Sequence, residues 1–380
     1  MLLRKQEKNM GDLQSNYLEA RKIYEPFIIP YIREYIEPPK DFIENKDSNF
    51  NQLSKNSLLI SESSTPKVEK YLIDVCKKLK IDRQLIQAFV FPKMDIEAFA
   101  YSNKLPITIA LSAGAVQRLS PEQLFFVIGH EIGHALIGSI INYNQESKTL
   151  EDYIFARGME ISADRIGLIA TTGIEFAKTA ILKVLSGLDD NQLAGSNIHK
   201  VLNENKQEVT EEDSYSEHPP LMIRLQALYN LSTCNEYNEL IGNKDSSSTK
   251  LDIVNKTITE MLEVTVDSFA MSKIEQRMEE FALWPITLLI FNQVKIDMAD
   301  LSKKLNVKIL KEDVQKAFNL INSYSDFEKS DVLYEKIHNG IKACQSIAPR
   351  HMAQLHENFS KLFPTIMYTN KEFIKSSILQ

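Results

Sequence analysis

Apolar residues recur at helical spacing along most of the chain. Over residues 10–36 they fall three and four positions apart, which predicts an amphipathic helix that ends at Pro38-Pro39. A second stripe of this kind follows Thr65-Pro66, where a capping residue precedes a proline at the first helical position. The connection between the two helices, residues 44–64, is rich in Asn, Ser and Lys, and we expect it to be exposed.

Three short apolar segments predict β-strands after the second helix. They are Ala88–Phe91, Ala98–Tyr101 and Ile107–Leu111, and we expect them to form a small antiparallel sheet. An extended peptide can add as a further strand to an exposed sheet edge. We expect Ile107–Leu111 to be the strand that offers this edge.

A long helix is predicted from about Ser120 toward Ile141. Its first residues form a capping box, in which Ser120 caps the helix and Gln123 reaches back. Further helices are predicted over residues 153–172, 174–188, 191–203 and 221–231, and residues 251–380 are expected to form four or five more.

The pattern therefore predicts an α+β protein that is mainly α-helical. We expect three regions: residues 1–64 as an N-terminal helix and linker, residues 65–240 as the domain that holds the sheet and the long helix, and residues 251–380 as a helical C-terminal domain. The turn-rich string at 243–249 marks the last boundary.

The long helix carries the spacing His-Glu-x-x-His. Residues four apart lie on one face of a helix, so His130 and His134 can direct both imidazoles at one metal ion. Glu131 stands beside them, where it can take a proton from a water on that ion. Alternatively, the two histidines form a hydrogen-bonded pair in the core.

A second motif, Glu160-Ile161-Ser162-Ala163-Asp164, strengthens the metal interpretation. A catalytic zinc takes three protein ligands and leaves one position open for water, and Glu160 can be the third ligand. Asp164 lies one helical turn further along, where it can bind the free ring nitrogen of His130 and fix its tautomer. Both acidic residues could instead be solvated, but the two motifs together favour a metal site.

Composition is that of a globular protein and excludes several functions. The chain has 380 residues, 43% of them hydrophobic, and its net charge of −7 argues against a nucleic-acid surface. The three cysteines, Cys76, Cys234 and Cys344, are far apart and form no CxxC pair, so we expect reduced thiols and a cytoplasmic setting.

The N-terminus lacks the apolar core of a signal peptide. The longest apolar stretch, Phe281–Phe291, is too short to cross a bilayer.

These residues predict hydrolysis of a peptide bond. One zinc ion held by His130, His134 and Glu160 would lower the pKa of a water toward ~7, and Glu131 would take its proton and pass it to the leaving amine. The developing oxyanion needs a further donor. His218 and Arg224 are candidates for that role, and Tyr215 is a weaker one. His218 could equally be a histidine of a surface loop.

Three runs along the chain resemble a known family. Residues 106–114 (Pro-Ile-Thr-Ile-Ala-Leu-Ser-Ala-Gly), 119–124 (Leu-Ser-Pro-Glu-Gln-Leu) and 127–134 (Val-Ile-Gly-His-Glu-Ile-Gly-His) are similar to the HtpX and CAAX-prenyl-protease type of zinc metallopeptidase, a gluzincin. Glu160–Asp164 matches the Glu-x-x-Ala-Asp motif of that family, and Ser216–Pro220 with Arg224 resembles its later His-Pro segment. The resemblance covers roughly residues 65–235. It implies a zinc-dependent endopeptidase of gluzincin fold, with His130, His134 and Glu160 as ligands and Glu131 as base.

Two functions are consistent with these motifs. The first is a zinc endopeptidase that acts on a peptide or protein substrate; the prenyl substrates of the family do not carry over, since no membrane-spanning stretch is found. The second is a regulatory protein with a latent or structural zinc site, in which the C-terminal helices bind a partner protein. His218 could then close the site as a fourth ligand, and we call this arrangement a latch.

Overall fold

The computed structural model has the expected α+β composition and is mainly helical. It describes residues 2–38, 53–101, 105–141, 148–171, 173–197, 209–243, 249–291, 297–305 and 311–322, with a few further positions at 200–201, 204, 309, 339, 348–350 and 353. Cys344 and nearly all of the helical region predicted beyond residue 322 lie outside these residues.

The elements of the described residues follow the chain in this order. The helices are α1 (Leu2–Tyr24), α2 (Pro66–Lys78), α3 (Ala113–Arg118), α4 (Pro121–Ile137), α5 (Leu150–Ala170), α6 (Ile174–Ser186), α7 (Asp190–Leu193), α8 (Leu221–Ser232), α9 (Asn235–Leu240), α10 (Leu251–Val264), α11 (Ser268–Phe291), α12 (Met298–Leu305) and α13 (Lys311–Asn322). The strands are β1 (Ile36–Glu37), β2 (Leu58–Leu59), β3 (Ile86–Phe91), β4 (Ala98–Tyr101), β5 (Ile107–Ser112) and β6 (Ser139–Ile140).

The first helix is shorter at its C-terminal end than the apolar stripe predicted. It ends at Tyr24, and two 3-10 helices, Glu25–Phe27 and Pro30–Tyr35, continue the chain. Pro26 and Pro30 each stand in the first turn of one of them. Because proline lacks a backbone N–H, neither residue can continue an α-helix that began earlier.

The sheet is mixed, which corrects the antiparallel sheet predicted from the sequence. Its strand order is β2-β3-β5-β4, and β3 pairs with β5 in parallel, with Ile86 opposite Ile107. The other two pairings are antiparallel. The parallel pairing arises because the chain leaves β3, forms β4, and returns so that β5 lies between them.

The prediction that Ile107–Leu111 offers an exposed edge is wrong. That segment lies in β5, which has hydrogen-bonded neighbours on both sides, and every one of its residues is buried. A continuous apolar run of this kind is typical of a central strand that is covered on both faces. Among the described strands, β4 is the edge next to β5.

The long helix ends at Ile137, four residues before the predicted end. Gly138 follows with φ of +100°, a conformation that favours glycine, and a Cβ there would lie 2.2 Å from the carbonyl oxygen of Glu37. The chain then enters β6, which pairs with β1 through Ile36 opposite Ile140.

The chain forms two compact units. The first contains residues 1–144 and 154–266, and the second contains residues 145–153 and 267–380. All candidate site residues lie in the first unit. The three-region division predicted from the sequence stays a prediction. No helix among the described residues, α11 included, is long and apolar enough to cross a membrane.

Candidate metal centre

Helices α4 and α5 approach each other closely because small residues face each other. A Cβ added to Gly129 would lie 2.4 Å from the Cβ of Ala170, and one added to Gly133 would lie 3.0 Å from the Cα of Ala163. Distances this short exclude a larger side chain unless the helices move apart. The close approach brings Glu160 of α5 within reach of the histidines of α4.

Both ends of α4 are fixed. At its start the predicted capping box is confirmed, with Ser120 accepting from the Gln123 N–H and the Gln123 side chain accepting from the Ser120 N–H. At its end the Tyr17 hydroxyl donates to the Ala135 carbonyl at 2.9 Å, and Arg21 donates to the Ile137 carbonyl at 2.6 Å. Residues of α1 thus satisfy carbonyls that the last turn of α4 leaves without helical partners.

His130, His134 and Glu160 form a compact cluster of potential ligands. The two Nε2 atoms of the histidines lie 3.0 Å apart. Glu160 Oε1 is 3.1 Å from His134 Nε2, and Oε2 is 3.7 Å from His130 Nε2. A tetrahedral ion with bonds of about 2.0–2.1 Å separates its ligand atoms by about 3.3 Å. The three side chains therefore have the chemistry and spacing to hold one such ion.

The charges in this cluster favour a cation between the ligands. Burial lowers the pKa of His134, but the Glu160 carboxylate outweighs that effect and raises it to about 9. Burial likewise raises the pKa of Glu160, yet the neighbouring histidines bring it well below its ordinary value. A positive charge shared by these groups, whether a proton or a metal ion, is thus stabilised.

Asp164 lies behind His130 and is fully buried. Its Oδ1 is 2.9 Å from His130 Nδ1, which is the contact expected from the sequence. Arg224 donates to the same carboxylate from Nε and Nη2 at 2.8 and 2.7 Å. Burial alone would raise the pKa of Asp164, but Arg224 lowers it, so the carboxylate is ionised and orients the imidazole.

Arg224, a candidate oxyanion donor in the sequence, is engaged with Asp164. Its Nη2 also lies 3.9 Å from Glu160 Oε2, and its side chain is 12% exposed. Burial lowers the pKa of the Arg224 guanidinium, but the carboxylates of Asp164, Glu160 and Glu131 outweigh that effect and raise it above its ordinary value. The tertiary structure thus gives Arg224 a positioning contact that the sequence did not indicate.

Glu131 is buried next to the two histidines, with only 7% of its surface exposed. Burial raises the pKa of its carboxyl, and the two adjacent histidines lower it in part. A carboxylate with a raised pKa is a better proton acceptor than a solvated one.

His218 reaches the cluster from a loop. Its Nδ1 is 3.1 Å from Glu160 Oε2, while its side chain is 69% exposed. The hydrogen bond to Glu160 raises the pKa of His218. Tyr215, the weaker candidate from the same loop, is 50% exposed.

Sequence reasoning missed Arg157, which holds this loop. Arg157 is fully buried on α5, one turn before Glu160, and donates to the Ser214 and Ser216 carbonyls at 3.1 and 2.5 Å. The only signal in the sequence is an arginine within an apolar helical run, and that does not identify its partners.

Two cavities meet at Glu160 and His218. The first, of about 200 Å³, is bounded by α4, α6 and the start of β4, and Glu131 lines it. The second, of about 290 Å³, lies beside His134, Met159 and the segment Gly138–Ile140. We call them the first and the second cavity.

Comparisons with known proteins agree with this site. Residues 62–142 match the model of peptidase family M48. Protease HtpX of Chromohalobacter salexigens is 32% identical over 94 residues, which cover 23% of this chain and 31% of that protein. Protease HtpX of Alcanivorax borkumensis is 35% identical over 85 residues, 22% of this chain and 28% of that protein. No solved structure matches.

The chain thus matches less than a third of the length of these curated relatives. The family match contains the histidines and Glu131 but ends before Glu160, so the support for Glu160 and Asp164 is their sequence motif and their position beside the histidines. The resemblance to HtpX seen in the motifs is confirmed for one part of the chain: residues 62–142 are similar to peptidase family M48, and the curated relatives that match are HtpX proteases.

Proposed function

We propose that the protein is a zinc-dependent metalloendopeptidase. The observation that carries the proposal is the cluster of His130, His134 and Glu160 around one point, with Glu131 buried beside it. The family M48 match over the segment that holds three of these four residues supports a peptidase. One zinc per chain fits the two nitrogen donors and one carboxylate.

The ion and the residues around it have different roles in the proposed reaction. Zinc, when bound, supplies a Lewis acid that polarises a carbonyl and makes a water more acidic. Glu131 accepts the proton of that water and later gives it to the leaving amine of the peptide. Asp164, held by Arg224, keeps Nδ1 of His130 protonated, so Nε2 is free to bind the ion.

We assign the alignment of the substrate to β4, the edge strand of the sheet. Glu97, directly before β4, and Ala98, its first residue, line the first cavity next to His130 and Glu131. A peptide that pairs with this edge is bound through its backbone, which requires little sequence preference. This assignment replaces β5, which has no free edge.

The test is Glu131→Gln, which preserves size and removes the proton acceptor. We expect zinc content to stay at one per chain while hydrolysis of an unfolded protein falls about 100- to 10,000-fold. Glu260→Gln is the control for the substitution itself, because Glu260 is exposed on α10 and lines neither cavity. Retained cleavage in Glu131→Gln would exclude the mechanism.

His218 supports a second candidate, a latent site that a latch closes. Its Nδ1 lies 3.1 Å from Glu160 Oε2, close to the spacing of two ligands on one ion. A closed site with four protein ligands has no position for water. In that case residues 251–380, for which the sequence predicts a helical domain, would carry a partner-binding function.

Activity of His218→Ala separates the two roles of His218. A fall in kcat at unchanged zinc content identifies a donor to the oxyanion, and a rise identifies a latch. Zinc content is measured in parallel, because loss of the ion would reduce activity in either case.

A further inference from the structure

The two cavities approach the metal ligands from different sides. His130 lines the first cavity, His134 lines the second, and Glu160 lines both. The side chain of His134 is 22% exposed, compared with 12% for His130 and 10% for Glu160. The ligand that solvent reaches most easily therefore faces the second cavity.

The second cavity has room for a hydrated metal ion. Its volume is about 290 Å³. About six water molecules surround a small divalent ion in solution, and at about 30 Å³ each they occupy ~180 Å³. An ion can therefore reach His134 with its hydration shell intact and exchange the waters there one at a time for protein ligands.

The first cavity is less suited to a hydrated ion. It is smaller, about 200 Å³, and one of its walls is the apolar face of α6, formed by Ile181, Val184 and Leu185. Arg224 also lines it, and its positive charge repels an approaching cation. The carboxylate of Glu97, at its edge, is paired with Lys93. An ion that entered here would lose water against an apolar wall and pass a positive charge.

The lining of the second cavity offers groups that suit a divalent cation. Glu217 is partly exposed and contributes a carboxylate on the solvent side of the ligands. None of the lining residues that the structure describes is Lys or Arg. A carboxylate attracts a divalent cation and can replace one of its waters with an oxygen. His218 lines both cavities and therefore does not distinguish them.

We propose that the second cavity is the route by which the metal ion enters and leaves the site, with Glu217 as the residue that attracts the ion. The proposal rests on the zinc site of the proposed function but on no step of the peptidase reaction. A metal site with ligands as buried as these needs an entry path. Glu217 lies outside residues 62–142, the segment that matches the family.

The experiment measures how fast zinc binds to the metal-depleted protein and how fast it leaves. Zinc chloride is mixed with the protein in a stopped-flow instrument, and a fluorescent zinc indicator reports the free ion. Removing a charge at the rim of a binding site changes the association rate and its salt dependence, whereas removing a buried partner changes the dissociation rate.

We expect Glu217→Gln to lower kon about 5- to 10-fold at low ionic strength and to change koff less than about two-fold. High salt should reduce the difference in kon from wild type. Glu97→Gln is the matched control, because it removes the same group from the first cavity only. Both of its rates should stay close to those of the wild type.

A second pair of variants narrows each cavity without changing its charge. Ala156 lines the second cavity, and Ala98 lines the first. Since a narrower route hinders passage in both directions, Ala156→Leu should lower kon and koff by the same factor and leave Kd unchanged. Ala98→Leu should leave both rates unchanged. Glu217→Gln, which preserves size, decides the case alone if Ala156→Leu does not fold.

The outcomes separate this proposal from the peptidase function. Slower entry in Glu97→Gln and Ala98→Leu instead would assign the route to the first cavity and overturn the proposal. Wild-type rates in all four variants, or a change confined to koff in Glu217→Gln, would overturn it as well. Each of these results leaves the zinc site and the peptidase intact. If the wild type binds no zinc, the metal centre itself is refuted, and both proposals fail.

Discussion

Arg224 binds Asp164 through two parallel hydrogen bonds, Nε to Oδ2 at 2.8 Å and Nη2 to Oδ1 at 2.7 Å. Asp164 has no exposed surface, and its Oδ1 also meets His130 Nδ1 at 2.9 Å. The three residues come from three helices, α8, α5 and α4. The orientation of the His130 imidazole therefore depends on a residue far along the chain, which makes Arg224 the first target for mutation.

Arg224→Lys keeps the charge but removes the planar fork that binds both carboxylate oxygens. We expect zinc affinity to fall by about 10-fold, because partners of this kind contribute 10- to 100-fold to metal binding. Competition with a chromogenic chelator measures this affinity. Arg83→Lys is the control, since Arg83 makes a similar two-point contact with Glu69 away from the site. If both substitutions lower the zinc affinity equally, Arg224 has no specific role in zinc binding.

Zinc should stabilise the folded protein only when all three ligands are present. Ligand binding to the folded state adds ~4 kcal/mol at a free concentration 1,000-fold above Kd. We expect added zinc to raise the Tm of the metal-depleted wild type and of Glu97→Gln, and to raise it much less in Glu160→Gln. A full zinc-induced shift in Glu160→Gln would show that residue 160 is not a ligand.

Gly129→Ala tests the close approach of α4 and α5. The new Cβ would lie 2.4 Å from Ala170 Cβ, so the helices must separate, at a cost of about 1–3 kcal/mol. We expect lower stability in urea denaturation and weaker zinc binding. Gly11→Ala is the control, because a Cβ at Gly11 in α1 meets nothing within 4 Å and should stabilise the helix slightly. An unchanged free energy of unfolding in Gly129→Ala would contradict the close packing of α4 against α5 at this position.

Acid should weaken the contact between Lys183 and Asp190. Burial raises the pKa of Asp190, but hydrogen bonds from Lys183 and Gln123 outweigh it, so the folded-state pKa lies below its unfolded value of about 3.9. The contact therefore stabilises the protein above about pH 4, and this contribution is lost as the pH falls through the folded-state pKa. The difference in unfolding free energy between wild type and Asp190→Asn should be constant from pH 5 to 7 and shrink below ~4.

The same pH series in a Lys183→Met background provides the control for this prediction. Without the ammonium group, the difference in unfolding free energy that Asp190→Asn causes should lose most of its dependence on pH. An unchanged profile would mean that another group sets the pKa of Asp190.

The sequence by itself determined what depends on neighbours along the chain. The capping box of Ser120 and Gln123 located the start of α4, and helical periodicity placed His130 and His134 on one face. Both are consequences of hydrogen bonds and spacings within one or two turns, which hold in any fold. The segments that form β3, β4 and β5 were found for the same reason.

Only the tertiary structure decided how those pieces meet. The sequence of a strand does not show which strands pair with it. The central position of β5 and the free edge of β4 could therefore not be predicted from their sequences. The contact of Arg224 with Asp164 and the apolar face of α6 beside Glu131 join residues from separate helices. Such contacts depend on which side chains fill the space between packed elements, and that information is absent from any local stretch of sequence.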